Sequence, residues 1–168
     1  MCKRSLPFAM LVGITLLVAE PTDVNAQLGE TTSFLAHVSN QYRVIPNVTY
    51  HIASNQENKL DLYVPRGATG PTPVLMYIHG GGWVGGTKES SVLRILPYLE
   101  MGWAVANVEY RLGAVARAPA AVEDGLCALR WVIRNSGQYN LDTSRIVTTG
   151  NSAGGHLALT TGMIPSSA

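Results

Sequence analysis

Five consecutive apolar residues, Val74-Leu75-Met76-Tyr77-Ile78, constrain this chain more than any other stretch of it. A strand with one face in water alternates apolar and polar residues, whereas an unbroken run needs cover on both faces, the condition of an interior strand in a parallel sheet. Trp103 to Val108 reads as a second buried strand and Arg145 to Thr149 as a third. Helical patterns separate them. One runs from Lys88 to Met101, with Pro97 as a kink and Gly102 as a stop. Another begins at Pro119 and is closed by Asn135-Ser136-Gly137. On it Val122, Leu126, Leu129 and Ile133 recur at helical spacing, leaving Glu123, Arg130 and Arg134 for water. His156 to Thr161 opens a third helix. Strands alternating with helices predict an α/β fold with crossover connections, a mostly parallel sheet and helices on both faces. Ahead of it, Val48 to Ala53 and Leu60 to Val64 are β-prone and joined by Asn55-Gln56-Glu57-Asn58, which predicts an antiparallel amino-terminal hairpin with a polar loop.

A chain of 168 residues, 46% of them hydrophobic, holds one core. Twelve Lys and Arg against eleven Asp and Glu leave a formal charge of +1, too little to draw in nucleic acid or an anionic membrane surface, so a small neutral substrate fits better. Lys3 and Arg4, the apolar run Leu6 to Ala19 and a polar stretch ending at Ala26 have the layout of a secretory signal peptide over residues 1–26, which predicts a secreted or periplasmic protein. The run is shorter than the roughly 20 apolar residues a bilayer demands and contains Pro7 and Gly13, which argues against a stable membrane anchor. Residues 27–47 are weakly patterned and read as an amino-terminal arm before a domain over 48–168. Cys2 would leave with the leader, and Cys127 reads as a small buried hydrophobe on its helix. No cluster of His, Cys or carboxylates predicts a metal, and no phosphate-binding Lys follows a glycine loop, so no cofactor is expected.

Two glycine motifs carry the chemistry. Gly150-Asn151-Ser152-Ala153-Gly154 fits G-x-S-x-G between a predicted strand and a predicted helix. A strand that reverses directly into a helix strains its middle residue, and only small neighbours let the turn close with the serine oxygen exposed. The helix start adds backbone N–H groups and a positive dipole end beside a developing oxyanion. His79-Gly80-Gly81-Gly82-Trp83 ends the strand Val74 to Ile78, 73 residues (152 − 79) ahead of the serine. Successive glycines let bare N–H groups face a carbonyl oxygen, each such donor contributing roughly 2.7 to 4 kcal/mol to a transition state.

With both motifs, the chain resembles the α/β-hydrolase superfamily, closest to hormone-sensitive-lipase-like esterases and the bacterial feruloyl-esterase-like (BD-FAE) branch. Asn58 to Pro65, Tyr110-Arg111-Leu112, Pro119-Ala120 with Asp124, and Arg130-Trp131-Val132 support the likeness, which covers about Val48 to Gly162. The resemblance implies an α/β-hydrolase fold and a serine hydrolase acting on a small-molecule ester through an acyl-enzyme. By it Ser152 is the nucleophile, Gly81, Gly82 and Ala153 supply the oxyanion N–H groups, and His79 with Gly80 supports the glycine loop. His156, four residues past the serine, would be a structural helix residue. Asn151 replaces the Asp often found before the serine, with a small expected effect. The family's triad runs Ser, then acid, then His. Only 16 residues (168 − 152) follow Ser152, with no His or acid after His156, so the chain is expected to be an amino-terminal fragment of the domain. The alternative is a catalytically inactive, truncated or non-enzymatic protein of the same fold. Gly80, Gly82 and Gly85 with Glu109 also mimic a dinucleotide fingerprint. In that fold the third glycine lies inside the helix, whereas Gly85-Gly86-Thr87 continues the loop, and Gly150 to Gly155 would go unexplained.

Overall fold

A computed structural model describes residues 32–33, 36 and 38–164. The predicted leader, Cys2 and His37 lie outside the described residues. The chain divides into two units, Met1–Phe34 and Leu35–Ala168, and all the elements named here belong to the second. They are strands β1 (Tyr42–Ala53), β2 (Gln56–Pro65) and β3 (Thr72–Ile78), a 3₁₀ turn Lys88–Ser91, helix α1 (Val92–Glu100), β4 (Ala104–Val108), α2 (Ala120–Arg134), a single helical turn Ser136–Tyr139, β5 (Leu141–Gly150) and α3 (Ala153–Met163).

The five strands form one sheet in the order β1-β2-β4-β3-β5. β1 pairs antiparallel with β2 and β2 with β4, while β3 runs parallel to both β4 and β5. The apolar run that predicts a doubly covered strand is β3, paired on both sides, with Val74, Leu75, Met76 and Ile78 at 1% exposure or less. Alternation sends Val74, Met76 and Ile78 to one face, where they join Leu60, Leu62, Ala106, Val108, Ala128, Val132 and Leu157 in the main core. Leu75 and Val105 face the other way, the side that α1 covers with Ile95 and Leu99. Helices thus lie on both faces, as the sequence predicts.

Three local readings are corrected. β1 starts at Tyr42, inside the predicted arm. Tyr42 is buried and its hydroxyl donates to the carbonyls of Leu99 (2.6 Å) and Trp103 (3.1 Å), a tie visible only once α1 is docked. The hairpin loop shrinks to Ser54-Asn55, whose φ values of 51° and 55° are those of a two-residue primed turn, so Gln56, Glu57 and Asn58 belong to β2 despite their polarity. On α2 the buried stripe is Asp124, Gly125, Ala128 and Val132, and Ile133 is 46% exposed. Asp124 is drawn inward by Arg111, and a Cβ on Gly125 would stand 2.5 Å from Thr161 Oγ1 on α3. Helices this close admit only small residues at the contact. Cys127, on the same helix, is only half-buried. Among the described residues no helix is long and apolar enough to cross a membrane.

Candidate active site

The parallel register sets Ile78 of β3 level with Val108 of β4 and Gly150 of β5. The next residues, His79, Glu109 and Asn151, therefore leave the sheet side by side. β3 is followed by α1 on one face, and β5 by α3 on the other, where Leu157 and Ala158 enter the main core. Such a divergence opens a crevice at the carboxyl ends of the strands, the usual place for a ligand in an open α/β sheet. Both glycine motifs sit there.

Ser152 is exposed, with φ 52° and ψ −121°, a backbone state that L-residues avoid. The turn between β5 and α3 tolerates no side chain on either flank. A Cβ on Gly154 would lie 2.6 Å from His79 O and closer still to Ile78 O, and one on Gly150 would lie 2.6 Å from Gly154 C. Ala153 is buried at the first position of α3. The helix start is closed by the Gly154 N–H donating to Asn151 O (2.9 Å) and the His156 N–H to Ser152 O (3.2 Å).

Gly81, Gly82 and Trp83 follow β3 with φ values of 126°, 62° and 62°. The loop turns back on itself through the N–H groups of Val84 (3.2 Å) and Gly85 (3.0 Å), which donate to Gly81 O. A Cβ on Gly81 would stand 2.5 Å from Gly85 C, so that turn closes only around glycine. Gly81 and Gly82 are exposed, while Gly80 and His79 are buried. His79 is stacked on Tyr110, ring centroids 4.4 Å apart, and its carbonyl accepts the Tyr110 hydroxyl (3.2 Å). Its Nδ1–H donates to Gly80 O (2.7 Å).

Sequence reasoning missed the role of Asn151. Its Oδ1 accepts the Gly80 N–H (3.1 Å) and the Tyr77 hydroxyl (3.2 Å), joining the serine turn to the glycine loop directly. It also missed Lys88 and Glu109. Lys88 is buried at the end of the loop, its Nζ on Asp61 (3.0 Å) and Glu89 and its N–H on Glu109 Oε2 (3.0 Å). Burial pulls the Lys88 ammonium down, but the Glu89 and Asp61 carboxylates outweigh it and hold its pKa above the ordinary value. Beneath Tyr110, Arg111 is clamped by Asp124 at 2.9 Å, which raises the guanidinium's pKa further. His156 stands one turn along α3 from Ser152, its ring edge-on to Trp83 at 5.5 Å. A cavity of about 370 Å³ opens beside this pair, lined also by Pro119, Val122 and Leu157. Ser152 is not part of its lining. Among the described residues no three His, Cys, Asp or Glu gather as a metal site.

The sequence model of the family described as BD-FAE matches residues 60–167, more than half of the chain and both glycine motifs. The chain belongs to the BD-FAE family. Its relatives are esterases. It is 38% identical over 105 residues to a versiconal hemiacetal acetate esterase of Aspergillus parasiticus, covering 62% of this chain and 32% of that one. It is 38% identical over 87 residues to the carboxylesterase NlhH of Mycobacterium tuberculosis, covering 51% and 27%. A solved bacterial heroin esterase superposes with a TM-score of 0.61 at 34% identity, over 82% of this chain and 45% of that one. The fold of this BD-FAE chain is that of the α/β-hydrolases. It spans about a third or less of the length of the curated relatives it matches.

Proposed function

We propose that the protein hydrolyses carboxylic esters by acyl transfer, with Ser152 attacking the carbonyl carbon and the N–H groups of Gly81, Gly82 and Ala153 receiving the oxyanion. The observation that carries this reading is the strained, exposed Ser152 at the β5–α3 turn, held against the glycine loop by Asn151. Strain of this kind persists only where the surroundings over-determine it, and it concentrates at reacting groups. Attack transfers the serine proton to a base, forms the acyl–oxygen bond through a tetrahedral oxyanion and expels the alcohol; water then repeats the sequence and releases the acid. The apolar cavity beside Trp83 and His156 offers a seat for a non-reacting part of a small ester.

The base is not found among the described histidines. His79 is fully buried, its Nδ1 engaged with Gly80 O. His51 lies on β1, at the opposite edge of the sheet from β5, four strand spacings or about 19 Å away. His156 follows the helix axis away from the serine. We therefore assign the acid and the histidine of a triad to a part of the protein outside this chain, and expect residues 1–168 alone to be almost inactive. Removing the histidine from a serine triad costs about 10⁶ in kcat, leaving roughly 10³ to 10⁴ over water. We propose a secreted or periplasmic location, as the leader pattern of residues 1–26 implies.

The test uses the full-length protein, a short-chain p-nitrophenyl ester and an organophosphonate probe. Turnover abolished in Ser152→Ala, together with labelling at Ser152 in the unaltered protein, supports the reading. Turnover that survives Ser152→Ala, or a probe that labels elsewhere, refutes it.

A further inference from the structure

Glu109 enters the sequence argument only as a false element of a dinucleotide fingerprint, yet its carboxylate faces both ends of the glycine loop. One oxygen, Oε2, accepts the Lys88 N–H at 3.0 Å, where the loop rejoins regular structure. The other, Oε1, stands 3.8 Å from Nε2 of His79, where the loop begins. That ring nitrogen is fully buried and has no hydrogen-bond partner. Glu109 itself is fixed through its backbone: its N–H donates to Lys59 O (3.0 Å) on β2, and its carbonyl accepts the Tyr50 hydroxyl (2.6 Å) from β1.

We propose that Glu109 is a positioning residue for the oxyanion loop, setting the separation of His79 and Lys88 and through them the aim of the Gly81 and Gly82 N–H groups. The need for it follows from composition. Gly81, Gly82 and Gly86 hold their parts of the loop at positive φ and bring no side chains of their own, while between them Trp83 is tied down, its carbonyl accepting the Gly113 N–H (2.7 Å) and its ring meeting His156. How the loop leaves β3 and rejoins regular structure is set at its ends, His79 and Lys88. Asn107 and Asp61 secure Lys88 to the sheet, at 2.6 Å to its carbonyl and 3.0 Å to its ammonium, but neither reaches His79 in the hydrogen-bond network. Glu109 is the group that faces both. An oxyanion hole acts on the transition state, so a loop held less firmly lowers kcat and leaves ground-state binding nearly unchanged.

The inference rests on the assignment of Ser152 and the loop glycines above, and the experiment separates the two. Glu109→Gln, Glu109→Asp and Ser152→Ala are made in the full-length protein, and active sites are counted by phosphonate labelling so that kcat refers to folded, reactive serine. Glu109→Gln keeps the size and one acceptor but removes the charge; Glu109→Asp keeps the charge and shortens the reach. The expected result is a kcat per labelled site lowered by about 10-fold or more in both, a displacement of about 1 Å in a reacting group being enough for a greater loss, with KM within about 2-fold of the unaltered protein. A role limited to stability would lower the number of labelled sites and the melting temperature and leave kcat per site unchanged, and that result overturns the proposal. If Glu109→Gln does not fold, Glu109→Asp decides on the same criteria. Survival of turnover in Ser152→Ala overturns the hydrolase reading and this inference with it; loss of turnover there with unchanged kcat per site in the Glu109 variants overturns this inference alone.

Discussion

Replacing Gly154 with alanine sets two effects of opposite sign against each other. In a helix free of neighbours the change gains about 1 kcal/mol, because glycine is the costlier residue. At the first turn of α3 the new Cβ would lie 2.6 Å from His79 O, 2.8 Å from His79 C and closer still to Ile78 O. All three are backbone atoms at the end of β3, a strand paired on both sides, so none can rotate aside. Carbon and oxygen settle at about 3.3 to 3.6 Å even in favourable contacts, so α3 and β3 must part by close to 1 Å. Overpacking of a fixed site costs about 1 to 3 kcal/mol, occasionally more, and this contact belongs at the upper end. The net expectation is a loss of about 2 kcal/mol. Gly125→Ala is the control. Its Cβ would meet Thr161 Oγ1 at 2.5 Å, a single side-chain atom that can yield by a change of rotamer where the backbone atoms around Gly154 cannot, and the cost should be about 1 kcal/mol, below that of Gly154→Ala. Urea denaturation of the full-length protein measures both through the midpoint at constant slope. Labelling of Ser152 reports on the turn, since a shift of about 1 Å at a reacting group can cost 10²-fold in rate. A Gly154→Ala protein as stable as the original, with Ser152 labelled at the original rate, would refute the packing argument for the serine turn.

The two loop glycines should differ. Gly81→Val collides with Gly85 and opens the turn, whereas a Cβ on Gly82 meets only Val84 at 3.9 Å and suffers mainly from its φ of 62°. Steady-state kinetics should show kcat falling by about 10² or more for Gly81→Val, several-fold less for Gly82→Ala, and KM moving little in either; equal losses would contradict the geometry. Burial raises the Tyr42 phenol to about 12 from its ordinary 10. A raised value in the folded state means the native protein keeps a proton that the unfolded chain gives up, so this contribution is whole below pH 10 and is lost as pH rises toward 12. Its size is of the order of 2 to 3 kcal/mol. Tyr50, Tyr63, Tyr77 and Tyr110 are raised in the same direction by burial, so denaturation followed from pH 9 to 12 should show Tyr42→Phe with a shallower but not flat decline. An identical decline in the two proteins would contradict the assignment.

The elements legible in the sequence were those whose pattern is set within a few residues. β3 is an unbroken apolar run because both its faces are covered, and the glycines of both motifs are where a side chain would meet backbone. Helix and strand boundaries were less legible where a side chain's partner lies far along the chain. Asn58 is polar, which suggests a loop, and yet it is fully buried in β2. The spacing of Val122, Leu126, Leu129 and Ile133 suggests one buried face for α2, while the pull of Arg111 on Asp124 and the close approach of α3 at Gly125 turn another inward.

The same division holds at the site. Short-range sterics placed Ser152 and the glycine loop in the sequence, because a strand turning straight into a helix and a chain folding back at positive φ admit few residues, and those residues lie next to one another. Asn151, Lys88 and Glu109 carry no such mark. Their partners are 71 residues away for Asn151 to Gly80 and 21 for Lys88 to Glu109. Those pairs exist because the register of three parallel strands brings Ile78, Val108 and Gly150 level, and register is a property of the assembled sheet. The local sequence determined which backbone turns could form, and the tertiary structure alone decided which side chains hold them against each other.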